Sequence, residues 1–447
     1  MGCRFHYFIQ DYDLCFQRGP RSVGEQAEIY LRGLMQARRK NMERMEEVVP
    51  GSDYQSLHHF LSHSAWDARA VLDQVAVRAN RHLGGTEDSC LLLDESAFAK
   101  KGNKSVGVAR QWSGRLGKVD NCQVAVFACL AQGQSSTLID ARLYLPREWT
   151  NDPARCEKAG VPEQEAVFKS KADLAFEMVL RARENGVRFQ WVGVDGGYGK
   201  EPSFLRRLAG QGEVFVAEVH KDQQVYLEDP APRLPEKESS RGRKPTRLEA
   251  QTASLRVDEW VAAQPEENWQ KVAVRHSTKG QIRVEALHAR VWLWNGVEEQ
   301  APQWHFVATR EVGSRKTIKY MLSNAPEETS LKRLVQMQRQ RFWIERSFED
   351  AKSESGMADY QVRGWLAWNH HMALVTMAML FMLEEKLLHK QKHPLLSCSD
   401  IETLLAHFLP RRDVTIEEVV RQMEARHRAR QAAIQSSCRR QGLSDPE

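Results

Sequence analysis

The sequence predicts a mixed α/β fold with helical regions at both ends of the chain. Three observations indicate this class. Residues 22–85 carry apolar side chains at helical spacing, residues 90–219 alternate short apolar runs with amphipathic helical segments, and residues 252–310 alternate as strands do. At about 150 residues per domain, the length of 447 residues suggests about three domains.

The composition is that of an ordinary globular protein, with 42% apolar and 28% charged residues. It excludes collagen-like, low-complexity and wholly disordered chains. The 64 Lys and Arg exceed the 59 Asp and Glu only slightly, so the clustering of charge matters more than its sum. Eight cysteines without a C-x2-C pair argue against a zinc site and fit a reducing compartment, which predicts a cytoplasmic protein.

The longest apolar stretch, Met372 to Leu383, is too short to span a membrane. It runs directly into Glu384, Glu385 and Lys386. The sequence therefore predicts a buried core helix here and no membrane partner.

The N-terminal region predicts two helical stretches, Val23 to Met45 and Tyr54 to Leu83, with Gly84-Gly85 as the stop. The basic face that Arg38, Arg39, Lys40 and Arg44 form is either a solvated surface or a DNA contact.

The segment after residue 88 predicts the central sheet. The predicted strands are Cys90–Asp94, Val106–Trp112, Cys122–Leu130, Thr137–Leu145, Phe189–Val194 and Val214–Val219, with helices at Ala172–Asn185 and Ser203–Ala209.

The rest of the chain predicts a loop, a strand-rich module and further helices. Asp229 to Pro245 is rich in proline and charge, which indicates a loop or linker. The strands that follow are predicted at Leu255–Val257, Lys271–Arg275, Ile282–Leu287, Val291–Trp294 and Trp304–Thr309, and helices at Ser330–Glu354, Gly364–Lys390 and in the tail 397–447. Segment 411–440 of this tail holds eight arginines against four acids.

Two acids, Asp94 and Asp195, stand at the carboxyl ends of apolar strands. Ligands of open α/β sheets gather at such ends, although an Asp there also serves simply to cap a turn. Asp195 precedes Gly196-Gly197-Tyr198-Gly199, whose glycines allow a ligand to approach the backbone closely.

The helix predicted around residue 345 supplies a third acid. Arg341, Glu345 and Lys352 share one helix face, either as surface ion pairs or as part of a site. Two carboxylates about 4 Å apart repel each other by about 4 kcal/mol at an effective dielectric constant near 20. Convergence of the three acids therefore requires cations, and magnesium or manganese prefers such oxygen ligands.

These residues together resemble the DDE transposases of bacterial insertion sequences, which have an RNase H-like catalytic core. The branch that is most similar carries a β-rich insertion and a Y-x2-R-x3-E-x6-K signature. The resemblance covers about 50–385 and rests on Leu92-Leu93-Asp94-Glu95-Ser96, Gly107–Gln111, Gly117–Gln123, Gly193–Gly199 and Arg341-x3-Glu345-x6-Lys352.

The resemblance implies a metal-binding catalytic triad of Asp94, Asp195 and Glu345 that holds two Mg²⁺ ions, with Mn²⁺ as a substitute. It gives Arg341 and Lys352 contacts to DNA phosphates. Gln338 stands where the signature has Tyr, so the phosphate contact of that Tyr is not implied for this chain. The alternative carboxylates are Glu95 and Glu349.

The implied fold is an RNase H-like core that a β-rich insertion interrupts. The predicted parts are a helical N-terminal DNA-binding region (1–88), the first part of the core (89–222), the insertion (223–325), the second part of the core (326–390) and a helical basic C-terminal region (391–447). In the insertion, Arg241, Arg243 and Lys244 are either minor-groove contacts or a solvated linker, and Trp269, Trp292 and Trp294 either stack on a base or pack in the core.

The implied function is a cut-and-paste transposase. Its partners would be double-stranded DNA, as terminal inverted repeats and as target, and a second copy of the chain on that DNA. The expected location is the bacterial cytoplasm, on the nucleoid. Two alternatives remain: a domesticated DNA-binding protein or regulator, and an RNase H-like nuclease that joins no strands.

Overall fold

The computed structural model describes residues 1–19, 21–114, 116–235, 245–277, 280–314 and 318–442. The α-helices are α1 Gly2–Gln10, α2 Gly24–Gln36, α3 Met42–Val48, α4 Tyr54–Ser62, α5 Ala68–Leu83, α6 Arg147–Thr150, α7 Pro153–Lys158, α8 Lys171–Glu184, α9 Gly196–Gly199, α10 Pro202–Gly210, α11 Val257–Ala262, α12 Leu331–Gln340, α13 Phe342–Glu354, α14 Trp365–Leu388, α15 Cys398–Phe408 and α16 Ile416–Gln441. Short 3₁₀ helices lie at Asp13–Phe16, Glu163–Glu165 and Glu266–Asn268.

The strands form one large mixed sheet and two short ribbons. They are β1 Gln17–Arg18, β2 Arg21–Ser22, β3 Ser89–Ala99, β4 Ala109–Ser113, β5 Lys118–Gln132, β6 Ser135–Leu143, β7 Trp191–Val194, β8 Phe215–Val219, β9 Gln224–Val225, β10 Leu255–Arg256, β11 Gln270–Ser277, β12 Gly280–Trp292, β13 Gln303–Glu311 and β14 Ile318–Ser323. The large sheet has 10 strands in the order β11-β12-β13-β14-β8-β7-β3-β5-β4, with β6 also paired to β5.

The centre of this sheet is built from apolar strands in two orientations. β3 pairs antiparallel with β5 along its whole length and parallel with β7, and β7 pairs parallel with β8. Leu91, Leu92 and Leu93 of β3 are fully buried, as continuous apolar runs in parallel strands usually are. The predicted mixed α/β class is therefore confirmed.

The strands from residue 270 onward extend the same sheet. β11 to β14 form an antiparallel meander, and β14 pairs with β8 through Tyr320↔Val219 to Ser323↔Val216. Where separate strands were predicted at Ile282–Leu287 and Val291–Trp294, one long strand, β12, covers the first and continues to Trp292, so Leu293 and Trp294 lie beyond it. The prediction of strand at Leu255–Val257 is wrong at its end, because Val257 begins α11.

The N-terminal helices pack on the core helix α14. α2, α4 and α5 all contact α14, which in turn contacts β6. Three N-terminal helices begin after a residue whose side chain accepts a hydrogen bond from a backbone N–H of the first turn. These capping residues are Asn41 before α3, Asp53 before α4 and Asp67 before α5. These caps divide the two predicted helical stretches into four helices.

α14 is the one helix of the described residues that is long and apolar enough to cross a membrane, and 89% of its most apolar window is buried inside the protein. Its middle, Met372 to Leu383, is buried throughout, so the prediction of a core helix is confirmed. All eight cysteines are free.

Candidate active site

The two acids predicted at strand ends lie side by side. The predicted position is wrong for Asp94, because β3 continues to Ala99 by pairing with β5, and right for Asp195, which directly follows β7. The parallel register pairs Leu93 of β3 with Val194 of β7, so the next residues, Asp94 and Asp195, are neighbours across the sheet. Asp195 caps α9, accepting hydrogen bonds at Oδ1 from the backbone N–H groups of Gly197 at 2.9 Å and Tyr198 at 3.3 Å. Asp94 accepts one from the N–H of Glu95 at 2.7 Å.

A third acid continues this row. Val194 of β7 pairs with Ala217 of β8, so Asp195 is followed across the sheet by Glu218. The close packing of α9 on β8 requires a glycine at 199, since a Cβ there would lie 1.8 Å from the carbonyl oxygen of Glu218. The sequence analysis missed Glu218, although it is the acid of the predicted strand Val214–Val219.

Arg341 joins this row to the helix that carries Glu345. It lies between α12 and α13, and its guanidinium donates to Asp94 Oδ2 at 3.0 Å and to Glu345 Oε1 at 2.6 Å. Its Nε also lies 3.5 Å from Glu218 Oε1. The side chains of Asp94 and Arg341 are each 13% exposed, whereas that of Glu345 is 53% exposed. One guanidinium thus connects three carboxylates.

Burial and repulsion shape the electrostatics of this cluster. Burial first, and then the charge of Asp195, raise the pKa of Asp94 to about 7, against the opposing effect of Arg341. Burial opposes the charge of Arg341, but Glu218, Asp94, Glu345 and Asp195 together raise the pKa of its guanidinium. The carboxylates therefore form a site with an excess of negative charge that binding of a cation relieves.

The other predicted residues lie around this cluster or away from it. Lys352 is seven residues beyond Glu345 on α13, about 10 Å along the helix axis, with its Nζ 5.7 Å from the centre of the Phe348 ring. Gln338 is buried, and its Oε1 accepts from Thr309 at 2.9 Å, so it presents no group to the solvent side.

The alternative carboxylates are occupied elsewhere. Glu95 pairs with Lys171 at 2.5 Å, and Glu349, which is 73% exposed, pairs with Arg346 at 3.5 Å. Neither contacts Arg341.

The three tryptophans predicted in the β-rich segment do not join the cluster. Arg241, Arg243 and Lys244 lie outside the described residues. Trp269 lies against the guanidinium of Arg310 at 3.9 Å, and Trp294 donates its indole N–H to the carbonyl of Glu298 at 2.8 Å. Trp292 pairs through its backbone with Tyr226. The tryptophans therefore have structural contacts.

Two further cations flank the cluster and were not predicted. Arg339, at the end of α12, and Arg275, on β11, form no ion pair with any residue that the structure describes. Burial lowers the pKa of both, and their mutual repulsion adds to this for Arg275. Arg275 lies over the rings of Phe342 and Trp343, 4.8 Å from each centre. No local pattern in the sequence marks either residue.

The junction of α12 and α13 leaves several buried polar atoms without a hydrogen bond. They are Gln338 Nε2, Arg339 Nε, Gln340 Oε1 and Arg341 Nε, on four consecutive residues. Such atoms cost about 1–3 kcal/mol each when unsatisfied, so a cluster of them beside a charged site is typical of a functional region.

The described residues contain no group of three or more His, Cys, Asp or Glu side chains already placed to hold a metal ion. The donor chemistry nevertheless fits one: Asp94 and Asp195 offer adjacent hard oxygens, and burial with repulsion disfavours the negative charge of Asp94. Glu345 belongs to the same charge cluster through Arg341.

Comparison with known proteins identifies the family of this chain. The model of the family described as "DDE superfamily endonuclease" matches residues 15–281, more than half of the chain. The chain therefore belongs to the DDE superfamily endonucleases. The match includes Asp94 and Asp195, while Glu345 lies beyond its end.

One curated relative is the "Probable transposase for insertion sequence element IS701" of Microchaete diplosiphon. It is 30% identical over 164 residues, which cover 36% of this chain. The aligned part of the chain spans 40% of the length of that relative.

Proposed function

We propose that this protein is a DNA transposase that cleaves the ends of a mobile element and joins them to target DNA, with Asp94, Asp195 and Glu345 as its catalytic acids. The observation that carries the proposal is the pair of adjacent acids, Asp94 within β3 and Asp195 directly after β7, which Arg341 connects to the helix that bears Glu345. Membership of the DDE superfamily endonucleases and the similarity to a probable transposase support it.

The sheet supports the finer proposal of an RNase H-like core. Its central order is β6-β5-β3-β7-β8, in which β3, β5 and β6 are antiparallel neighbours and β7 and β8 run parallel to β3. The β11 to β14 meander falls between Asp195 and Glu345 in the chain, as a β-rich insertion of this branch would.

We further propose that Asp94, Asp195 and Glu345 hold divalent cations, of which magnesium is the expected one. Such ions, when bound, make a hydroxyl or water a better nucleophile and stabilise the leaving oxygen of phosphoryl transfer. The residues of the chain itself supply the rest. Arg341 lies between the acids and presents a buried guanidinium to a phosphate, and Glu218 holds its Nε.

The proposed partners follow from the reaction. Joining two ends to one target requires two active sites, so a homodimer assembles on DNA, and the substrate is double-stranded DNA bearing terminal inverted repeats. The proposed location is the bacterial cytoplasm, where such DNA is found.

The test is incubation of the purified protein with labelled DNA that carries the ends of its element, together with an unlabelled target plasmid and Mg²⁺. The proposal expects cleavage at the ends followed by labelled plasmid. If the protein cleaves the ends but no label appears in the plasmid, it is a nuclease that joins no strands. Binding without cleavage, in both Mg²⁺ and Mn²⁺, would leave a DNA-binding protein and overturn the proposal.

A further inference from the structure

A groove of about 1050 Å³ lies away from the acid cluster, between the N-terminal helices and the central sheet. Its lining comes from the start of α3, from α4 with His63, from the end of β3 and the loop after it, from the end of α7 and the turn that follows, and from residues 358–367. Its cations are Lys100, Lys101, Lys158 and Arg363, and we call it the basic groove.

The lining of the basic groove contains no aspartate or glutamate. None of its four cations forms an ion pair with any residue in the part of the chain that the structure describes. A second cavity shows the usual arrangement in this protein: Arg421 and Arg426 line it together with Glu46 and Glu47, and these groups form ion pairs. The basic groove is therefore a concentrated, uncompensated positive surface.

Lys100 is held in place in this surface. Its Nζ lies 3.5 Å from the centre of the Tyr360 ring and 3.5 Å from the Tyr360 carbonyl oxygen. Burial lowers the pKa of this lysine to about 8, which a nearby anion would reverse. His58 and His63 add two groups that gain positive charge when protonated, and neither has an acid beside it in the groove lining.

The basic groove lies on the same face of β3 as the acids. Alternate residues of a strand share a face, and Asp94 and Phe98 of β3 are four residues apart. Lys100, just after the end of β3, continues this alternation, because its N–H still donates to the carbonyl of Asn121 at 2.9 Å. The ring of Phe98 contacts that of Tyr360, with centres 5.8 Å apart, and Tyr360 contacts Lys100. β3 pairs with β5 without interruption from Ser89 to Ala99, so Lys100 lies about 20 Å from Asp94 at about 3.3 Å per residue.

We propose that the basic groove binds the phosphate backbone of duplex DNA about six base pairs from the phosphate that the acid cluster cleaves. The spacing follows from the distance of about 20 Å along β3 and the rise of about 3.4 Å per base pair. Duplex DNA is favoured because it presents a continuous row of phosphates that reaches both sites, whereas a small anion would occupy only one. The proposal rests on the proposed function.

The test compares two double variants that each remove two exposed positive charges. The groove variant combines Lys101→Ala and Lys158→Ala, which removes two positive charges from the basic groove. The matched control combines Lys390→Ala and Lys392→Ala, which removes two positive charges from the turn after α14. Anisotropy of a labelled duplex of about 20 base pairs, without divalent cation, gives the affinity at several salt concentrations.

We expect the slope of log affinity against log salt to fall by about two in the groove variant and to stay unchanged in the control, because each lost phosphate contact removes about one unit. Between about 50 and 200 mM salt the wild type then loses about twelvefold more affinity than the groove variant does. Equal slopes for the two variants would overturn the proposal.

A second arm tests the spacing with cleavable end DNA. The duplex is shortened on one side of the cleavage point to fewer than about six base pairs. On such duplexes the groove variant and the wild type should bind and cleave equally well. If the wild type binds and cuts DNA but the groove variant does both equally well at every length, the groove proposal fails and the proposed function stands. If the wild type neither binds nor cuts, the proposed function itself fails.

Discussion

Replacing Asp94 by Asn should stabilise the protein in the absence of divalent cations. Burial and the neighbouring charge of Asp195 raise the pKa of Asp94 from its usual 3.8 to about 7. Between these values the folded protein keeps a proton that the unfolded chain has lost, so stability falls as the pH rises from about 4 to about 7 and then levels off. At 1.36 kcal/mol per pKa unit, the wild type loses up to about 4 kcal/mol by pH 8.

The Asn variant avoids this loss and preserves part of the local contacts. Its single amide oxygen can still accept the hydrogen bond from the N–H of Glu95, whereas its NH2 group replaces the oxygen that accepts from Arg341. Arg341 keeps Glu218 and Glu345 as partners. With about 2.1 cal/mol/K of unfolding entropy per residue over 447 residues, 4 kcal/mol corresponds to about 4 °C in Tm. Thermal melts in EDTA should show this gain at pH 8 and its decrease to about 2 °C at pH 5, where the wild type has lost only about 1.6 kcal/mol.

Asp140 provides the matched control, because it is buried but paired with Arg69 and Arg142. Burial tends to raise its pKa, yet these two arginines hold the pKa below the usual value. Its ionised form therefore contributes stability above pH 4 that is lost as the pH falls, so Asp140→Asn should melt lower than the wild type at pH 8. If Asp94→Asn also melts lower at pH 8, by an amount that does not change at pH 5, the electrostatic account of the acid cluster is refuted.

Three other predictions follow from the same cluster. The rate of DNA cleavage in a gel assay should fall by several orders of magnitude in both Asp195→Asn and Glu345→Gln. Both variants should still bind duplex DNA, because binding depends on Arg and Lys. If Asp195→Asn still cleaved DNA, Asp195 would not belong to the active site. Arg339→Gln should cleave DNA at least tenfold more slowly than the wild type, because the guanidinium of Arg339 flanks the acids without an ion pair. The control is Arg333→Gln on the same helix, which should cleave normally, because Arg333 pairs with Asp88. Equal cleavage rates for the two variants would show that Arg339 holds no phosphate. Mg²⁺ at about 100 times its Kd should stabilise the wild type by about 2.7 kcal/mol, or roughly 3 °C, and Asp195→Asn much less; an equal shift in melting would place the ion elsewhere.

The parts of the fold that the sequence predicted are those whose signals are local. The apolar runs at Cys90–Asp94 and Phe189–Val194 became the strands that hold Asp94 and Asp195, because a run of buried residues needs no knowledge of its neighbours. Helix ends were predicted less well. The helix expected over Ser330–Glu354 divides at Arg341, whose hydrogen bonds to Asp94 and Glu345 hold it at the junction.

The parts that were missed depend on contacts between distant residues. The strand Ile318–Ser323 is short and its sequence gives little indication of it, but it is stabilised by pairing with β8, about 100 residues earlier in the chain. The same holds for Arg275, which reaches Phe342 because β11 packs on α12, directly before Phe342 begins α13. Long-range pairing of this kind leaves no periodic pattern within either segment.

The acid row, by contrast, could have been found from the sequence with one further step of reasoning. Three successive parallel strands, each followed by a crossover, bring their carboxyl ends to the same edge of the sheet. Asp94 of the first strand and Asp195, directly after the second, stand in matching register, so the third strand, Val214–Val219, should be searched for an acid at the same position, and Glu218 is there. The cluster then contains one more carboxylate than the proposed triad needs. Glu218 Oε1 accepts a hydrogen bond from Lys319 at 3.2 Å and lies 3.5 Å from Arg341 Nε, so Glu218 balances the charge of both cations, and Asp94 and Glu345 are not the only acids beside Arg341.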